Sequence, residues 1–298
     1  MEQDFRFNLE EMAGAIGDYG TLLPIIVGVA VVTEINMGSI LLFFGLAYIA
    51  TGLYYKLPMP VEPMKAIGAV AISGALTAGE IAAAGILMGL ILLVIGFLGG
   101  LDFIKRQIPE WQIRGIQLGL ALILLETALS FLVEDWLLGI ISITIILVFY
   151  FINVLDISAL IVFGLGLVIG IYHSGLPPIT MISWPELTIP TISEFTTGFW
   201  SGTIPQLPLT LGNAILATSL LITDLFERKT SENKLAISMG LMCIISSPLG
   251  GFPMCHGAGG LAAQYRFGAR TGGSNIISGI ILLIIAFFFA SPQIIEII

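Results

Sequence analysis

Charge is what this chain lacks most. Only 10% of its 298 residues are charged, 57% are hydrophobic and the mean hydropathy is +1.03. Soluble domains carry about a quarter charged residues, so a water-soluble globular domain is excluded. Cysteine is also scarce: Cys243 and Cys255 both stand in apolar or motif surroundings, so neither a disulfide framework nor a cysteine metal site is expected. There is no His-Glu-x-x-His run, no serine-nucleophile motif and no P-loop, and Gly164-Leu165-Gly166 has no strand–turn–helix context, which argues against an enzyme and against a bound cofactor or metal. The opening Met1-Glu2-Gln3-Asp4-Phe5-Arg6 has neither the basic region nor the small-residue cleavage site of a secretory signal. The net charge of −9 says little about partners, because in a membrane chain the placement of the basic residues matters more.

What the chain has in abundance is apolar runs. Residues 81–101 and 276–290 are about long enough to cross a bilayer core of roughly 30 Å. The reading is an all-α polytopic membrane protein of about eleven spans, near residues 11–32, 38–55, 58–76, 81–101, 113–132, 136–153, 157–172, 199–226, 235–249, 252–265 and 275–291. The segment 174–197, rich in Pro, Ser and Thr, is too polar to cross. With the N-terminus in the cytoplasm, Arg6, Lys56, Lys105, Arg106, Arg114, Arg228, Lys229, Lys234, Arg266 and Arg270 fall on the inner side. Glu34, Glu80, Glu134, Asp135, Glu186, Glu194 and Glu296 fall outside, with the C-terminus. Such an asymmetry is what the positive-inside rule demands of a multi-pass cell-membrane protein.

Two spans are broken by proline, glycine and polar groups: Pro58-Met59-Pro60-Val61-Glu62-Pro63-Met64-Lys65 in the third and Gly251-Phe252-Pro253-Met254-Cys255-His256-Gly257-Ala258-Gly259-Gly260 in the tenth. Irregular backbone at membrane depth must face protein or a water-filled cavity, and a matched pair of such breaks marks a transporter's binding site. Each break leads into a short helix whose first N–H groups and positive dipole end suit an anion, so Met64, Lys65 and Ala66, with Gly257, Ala258 and Gly259, are expected to donate to one bound anion. The halves echo each other. Pro60 follows Gly17 of Gly17-Asp18 by 43 residues, and Pro253 follows Gly212 of Gly212-Asn213 by 41. With seven spans ahead of it, the second unit enters from the opposite side: an inverted repeat, residues 1–177 and 199–298 about an outer linker at 178–198, the second unit truncated.

Lys65 is the lone intramembrane cation, a substrate or coupling group or else a plain partner of Glu62 one helical turn away. An ionised Glu62 beside an anion site repels a dianion, so Glu62 is either a proton carrier or that salt-bridge partner. Asp18 is a second proton-coupling candidate, the alternative being a polar contact between spans. His256 can donate to an oxyanion or exchange a proton, or simply bond to backbone. Glu126 reads as a gate or interfacial residue, and Gly96 with Gly100 as a weak helix-packing pair.

Four motifs carry a resemblance. They are Gly14-Ala15-Ile16-Gly17-Asp18-Tyr19-Gly20-Thr21-Leu22-Leu23-Pro24, the break 58–65, Ile204-Pro205-Gln206-Leu207-Pro208-Leu209-Thr210-Leu211-Gly212-Asn213, and the break 253–260 running into Ala263-Gln264-Tyr265-Arg266-Phe267-Gly268-Ala269-Arg270. As a set they resemble the molybdate-transporter branch of the sulfate-permease superfamily. That resemblance implies a core domain (spans one to four and eight to eleven) moving against a gate domain by an elevator motion. It implies a tetrahedral oxyanion, molybdate first, carried by proton symport, with Gln206, Thr210, Asn213 and Thr21 joining the substrate-binding set. Sulfate, tungstate or bicarbonate carriers, or a nucleobase carrier of the same architecture, are the alternatives. Glu62 stands where the family usually has Gln, and half of the gate is missing, which leads to the expectation of a homodimer.

Overall fold

The computed structural model describes residues 5–33, 35–101, 109–152, 156–176 and 178–289. Glu34, Lys105, Arg106, Glu296 and the ends of the sixth and last expected spans lie outside the described residues. Every region read as a span carries helix, and among the described residues four helices are long and apolar enough to cross a membrane: Leu9–Thr33, Met37–Tyr55, Ala78–Phe97 and Ile192–Phe226.

The first of these is not continuous. It consists of α1 (Leu9–Ile16) and α2 (Tyr19–Thr33), separated by a turn at Gly17-Asp18 in which the amides of Thr21 and Leu22 donate to the Asp18 carbonyl. Gly17 is required there: a Cβ would lie 2.9 Å from the Phe267 ring and 3.0 Å from the Ala263 carbonyl. Sequence reading placed Asp18 inside a helix, whereas the structure puts its buried carboxylate at a helix break. Helix α3 (Met37–Tyr55) follows, then a two-residue strand β1 (Glu62–Pro63), a half-helix α4 (Lys65–Ile72) and α5 (Ala78–Phe97), whose start is closed by a reciprocal Thr77–Glu80 capping box.

Next come α6 (Glu110–Glu134), α7 (Trp136–Ile152) and α8 (Ser158–Ser174). These three present much apolar surface outward, Leu122, Leu129, Ile140 and Leu147 among it, and α7 buries none of its described side chains. The polar linker crosses the ends of other elements as extended chain: Thr180 N–H donates to the Phe288 carbonyl and Thr188 N–H to that of Pro248. Residues 192–226 then form one long helix with two π-helical stretches, α9 (Ile192–Thr197), Gly198–Thr203, α10 (Ile204–Leu209), Thr210–Ala217 and α11 (Thr218–Phe226). Pro205 and Pro208 have no N–H to give to the preceding turn, and widened π turns flank them. The chain ends with α12 (Glu232–Ser246), a 3-10 turn (Ser247–Leu249), β2 (Met254–Cys255), half-helix α13 (Ala258–Arg266) and α14 (Gly272–Phe288).

Two glycine-lined helix pairs frame the centre. Helix α3 packs on α14, where a Cβ at Gly45 would meet the Gly279 carbonyl at 2.9 Å. Helix α5 packs on α12, where a Cβ at Gly89 would meet the Gly240 carbonyl at 3.0 Å. Between membrane helices close van der Waals approach replaces the hydrophobic drive, and small residues permit it. The Gly96 of the expected packing pair does join α5 to α12, facing the Asn233 carbonyl, while Gly100 has only ordinary contacts with Ile95.

Candidate functional site

Inside this frame the two breaks meet. β1 and β2 pair antiparallel, Glu62 opposite Cys255 and Pro63 opposite Met254, so α4 and α13 begin at one level and run away from each other. Side chains bond their irregular backbone. Asn275 accepts from Met59 N–H (3.0 Å) and donates to the Met59 carbonyl (2.6 Å). His256 Nδ1 donates to the Pro60 carbonyl (2.9 Å), Ser246 to that of Phe252, Cys243 to that of Met254 and Cys255 to that of Pro63. Both cysteines are therefore backbone donors as well as small packing groups. No bilayer-facing irregular strand survives without such partners, which is why these polar residues sit at zero or near-zero exposure.

The charged groups converge on the start of α13. Glu62 is fully buried; its Oε1 accepts from Gly260 N–H (2.9 Å) and its Oε2 pairs with Lys65 Nζ. A Cβ at Gly257 would lie 2.5 Å from the Glu62 carboxylate, and one at Gly260 would lie 2.6 Å from Asp18 Oδ1 while also striking Glu62. Glycine is thus the residue that lets two carboxylates approach one helix end. Asp18 Oδ2 accepts from Tyr48 O–H (3.1 Å); its Oδ1, also buried, has no hydrogen-bond partner among the described residues. At the start of α4, Ala66 N–H donates to Gln206 Oε1 (2.8 Å), and Gln206 Nε2 donates to Thr210 (3.0 Å). Gln206 lies in α10, between the two π-helical stretches.

The other expected residues are held as follows. Met64 N–H is taken by the Pro253 carbonyl, and Ala258 and Gly259 contribute the first turn of α13, with Gly259 partly exposed. The second ring nitrogen of His256 bonds to Ser238 (2.8 Å), so both nitrogens serve the protein. Asn213 is buried with its Oδ1 lacking a partner among the described residues, and Thr21 is half-buried with its N–H on the Asp18 carbonyl. Glu126 is exposed on α6. The residues that sequence reasoning missed are Asn275, Tyr48 and Ser238; each shares its helix with other polar residues, so nothing in the pattern singled it out.

The sequence matches the protein-family model described as "Molybdate transporter of MFS superfamily" over residues 10–124 and 198–298. It is similar to Molybdate transporter 2 of Arabidopsis thaliana, 33% identical over 94% of this chain and 72% of that protein. Molybdate transporter 1 of the same plant is likewise 33% identical, over 94% of this chain and 73% of that protein. Among solved structures the fold is similar to the transmembrane domain of a cyanobacterium bicarbonate transporter, BicA, with a TM-score of 0.63, 16% identity and coverage of 96% of this chain and 86% of that one. It is also similar to the murine Solute Carrier 26 family member A9 anion transporter in its inward-facing state, TM-score 0.57, 11% identity, covering 97% of this chain and 59% of that one. Both structural likenesses speak to the fold alone.

Proposed function

The chain belongs to the molybdate-transporter family, and from that premise we propose that it moves a tetrahedral oxyanion, molybdate, across the cell membrane. It is a multi-pass transporter, not an enzyme. The observation that carries the reading is the meeting of two half-helix starts around the only lysine of the broken spans. Backbone N–H groups and a cation at one point are the elements an oxyanion needs.

Proton symport completes the proposal. Bringing a dianion inward against about 100 mV costs roughly 4.6 kcal/mol. At the site one cation faces two buried carboxylates, Asp18 and Glu62, so a dianion added there leaves a large uncompensated negative charge unless protons enter with it. The motion we assign is an elevator: residues 110–174 as the gate, and the remaining helices, an inverted pair of units about the linker, as the moving core. The packing of α3 on α14 and of α5 on α12, equivalent contacts in such a repeat, supports this. The N-terminus lies in the cytoplasm, and a homodimer through the apolar faces of α6–α8 gives the core a larger surface to slide on.

Uptake of labelled molybdate by vesicles containing the purified protein tests the reading, with tungstate, sulfate and bicarbonate competed at equal concentration. Saturable uptake stimulated by external acid and blocked best by tungstate is expected. Uptake of none of these anions would remove it.

A further inference from the structure

At the start of each half-helix, N–H donors and the Lys65 ammonium are already bonded to oxygens of this chain. Glu62, from the first break, lies over the start of α13 with one carboxylate oxygen on Gly260 N–H and the other on Lys65. Gln206, from the other half of the chain, puts its amide oxygen on Ala66 N–H at the start of α4. Each half-helix is thus capped by an acceptor, and the capping at α13 is by a full anion. We propose that Glu62 is a tethered stand-in for the oxyanion: substrate binds by displacing the Glu62 carboxylate from Gly260 and Lys65, and a proton delivered to Glu62 is what releases it. This inference rests on the oxyanion-transport reading and adds the rule by which the site opens.

The physical argument is one of equivalent partners. A carboxylate and a tetrahedral oxyanion compete for the same charge-assisted donors, N–H and ammonium, and those donors cannot serve both. Glu62 is held by Gly260 N–H and Lys65, and the other titratable groups that face it are Asp18 from the turn between α1 and α2, Tyr48 from α3, and Cys255 and His256 from the second break. Of these only Lys65 is a fixed cation, so an ionised Glu62 satisfies it and a substrate dianion would leave Glu62 buried as an uncompensated charge. Protonation removes that conflict: the proton goes to the carboxylate oxygen, Lys65 Nζ turns to the substrate, and the Gly260 N–H follows. Return of Glu62 to its donors after substrate departs closes the site again, which makes movement of the anion without its proton unfavourable. Gln206 serves as the neutral counterpart, since its amide can leave Ala66 N–H without changing the charge of the site.

The experiment is calorimetric titration of tungstate into the detergent-purified full chain between pH 5.5 and 8, for wild type, Glu62→Gln and Asp18→Asn. The isosteric amide keeps the shape of Glu62 and an oxygen for Gly260 N–H but cannot compete as an anion. Wild-type affinity should fall as pH rises, by up to about tenfold per pH unit, as expected when binding takes up one proton. Glu62→Gln should hold the acid-side affinity across the whole range, and Asp18→Asn should keep the wild-type slope. If Glu62→Gln binds more weakly than wild type at every pH while its thermal unfolding midpoint is unchanged, Glu62 is a ligand and not a competitor. If it keeps the wild-type slope, or if Asp18→Asn alone abolishes the slope, the releasing proton goes elsewhere. Either result overturns the inference and leaves the oxyanion site standing. Absence of tungstate binding by wild type at all pH values would instead strike the transport reading itself.

Discussion

At the scale of single residues the site is a contest over few donors. Lys65 is about four-fifths buried and spends its charge on Glu62, so its removal has two consequences with separate readouts. A charge-assisted hydrogen bond to the substrate is lost, worth about 1.5–3 kcal/mol, or roughly a ten- to hundredfold weaker Kd. Lys65→Ala combined with Glu62→Gln, which leaves no buried carboxylate without its partner, should show that loss with little change in thermal stability relative to Glu62→Gln alone; an unchanged Kd in the folded variant would deny Lys65 a substrate role. Glu62, Lys65 and Asp18 were legible in the sequence because a charge inside an apolar run has few explanations. The cap that Glu62 provides was not legible, because it depends on which of two breaks folds over the other. Asn275, which satisfies both backbone groups of Met59, looks in sequence like any helix-start asparagine.

At the scale of elements, composition located the breaks and the helices but left their register open. The antiparallel pairing of β1 with β2 is two residues long and has no alternating pattern to announce it. The π-helical turns around Pro205 and Pro208 are equally silent, since the prolines forbid regular α-helix without saying how the chain accommodates them. The glycine contacts between helices are more readable in hindsight than in advance, because a glycine in a helix marks close packing only when its partner is known. Gly45 and Gly115 make the contrast. A side chain at Gly45 runs into Leu283 at 2.8 Å and the Gly279 backbone, while one at Gly115 meets nothing within 4 Å. Gly45→Val should therefore destabilise the protein by about 1–3 kcal/mol and lower its unfolding midpoint in detergent, whereas Gly115→Ala should leave the midpoint unchanged or raise it. Equal behaviour of the two would mean that the α3–α14 contact is loose.

At the scale of the whole molecule, two ion pairs tie the three-helix segment to the rest on the face that the proposed orientation makes cytoplasmic. Arg114 of α6 bonds Asp224 of α11 at 2.6 Å, and Arg266 at the end of α13 bonds Asp156, between α7 and α8, also at 2.6 Å. Arg266 further lies over the Tyr150 ring at 5.1 Å. If the core slides against residues 110–174, both pairs must open, so they latch one of the two conformations. Partial burial pushes the Asp156 carboxyl up, but bonds from the Ser158 hydroxyl and N–H and from Arg266 outweigh it and hold the group below the usual aspartate range. For such a depressed group the linked stability is complete above the ordinary aspartate value and is lost as pH falls through the lowered one. The latch is accordingly intact at neutral pH and weakens as pH falls below the ordinary aspartate range. Exposed pairs of this kind contribute about 1 kcal/mol at most, which is enough to change a conformational ratio roughly fivefold for each pair. Asp156→Asn combined with Asp224→Asn should therefore broaden or shift the distance distribution between spin labels placed on Val168 of α8 and Leu241 of α12, both exposed. The same variant should change the maximal uptake rate while leaving tungstate affinity at the half-helices intact. An unchanged distribution with unchanged uptake would show that the two pairs stay closed throughout transport, and that the moving boundary lies elsewhere than between α6–α8 and the rest.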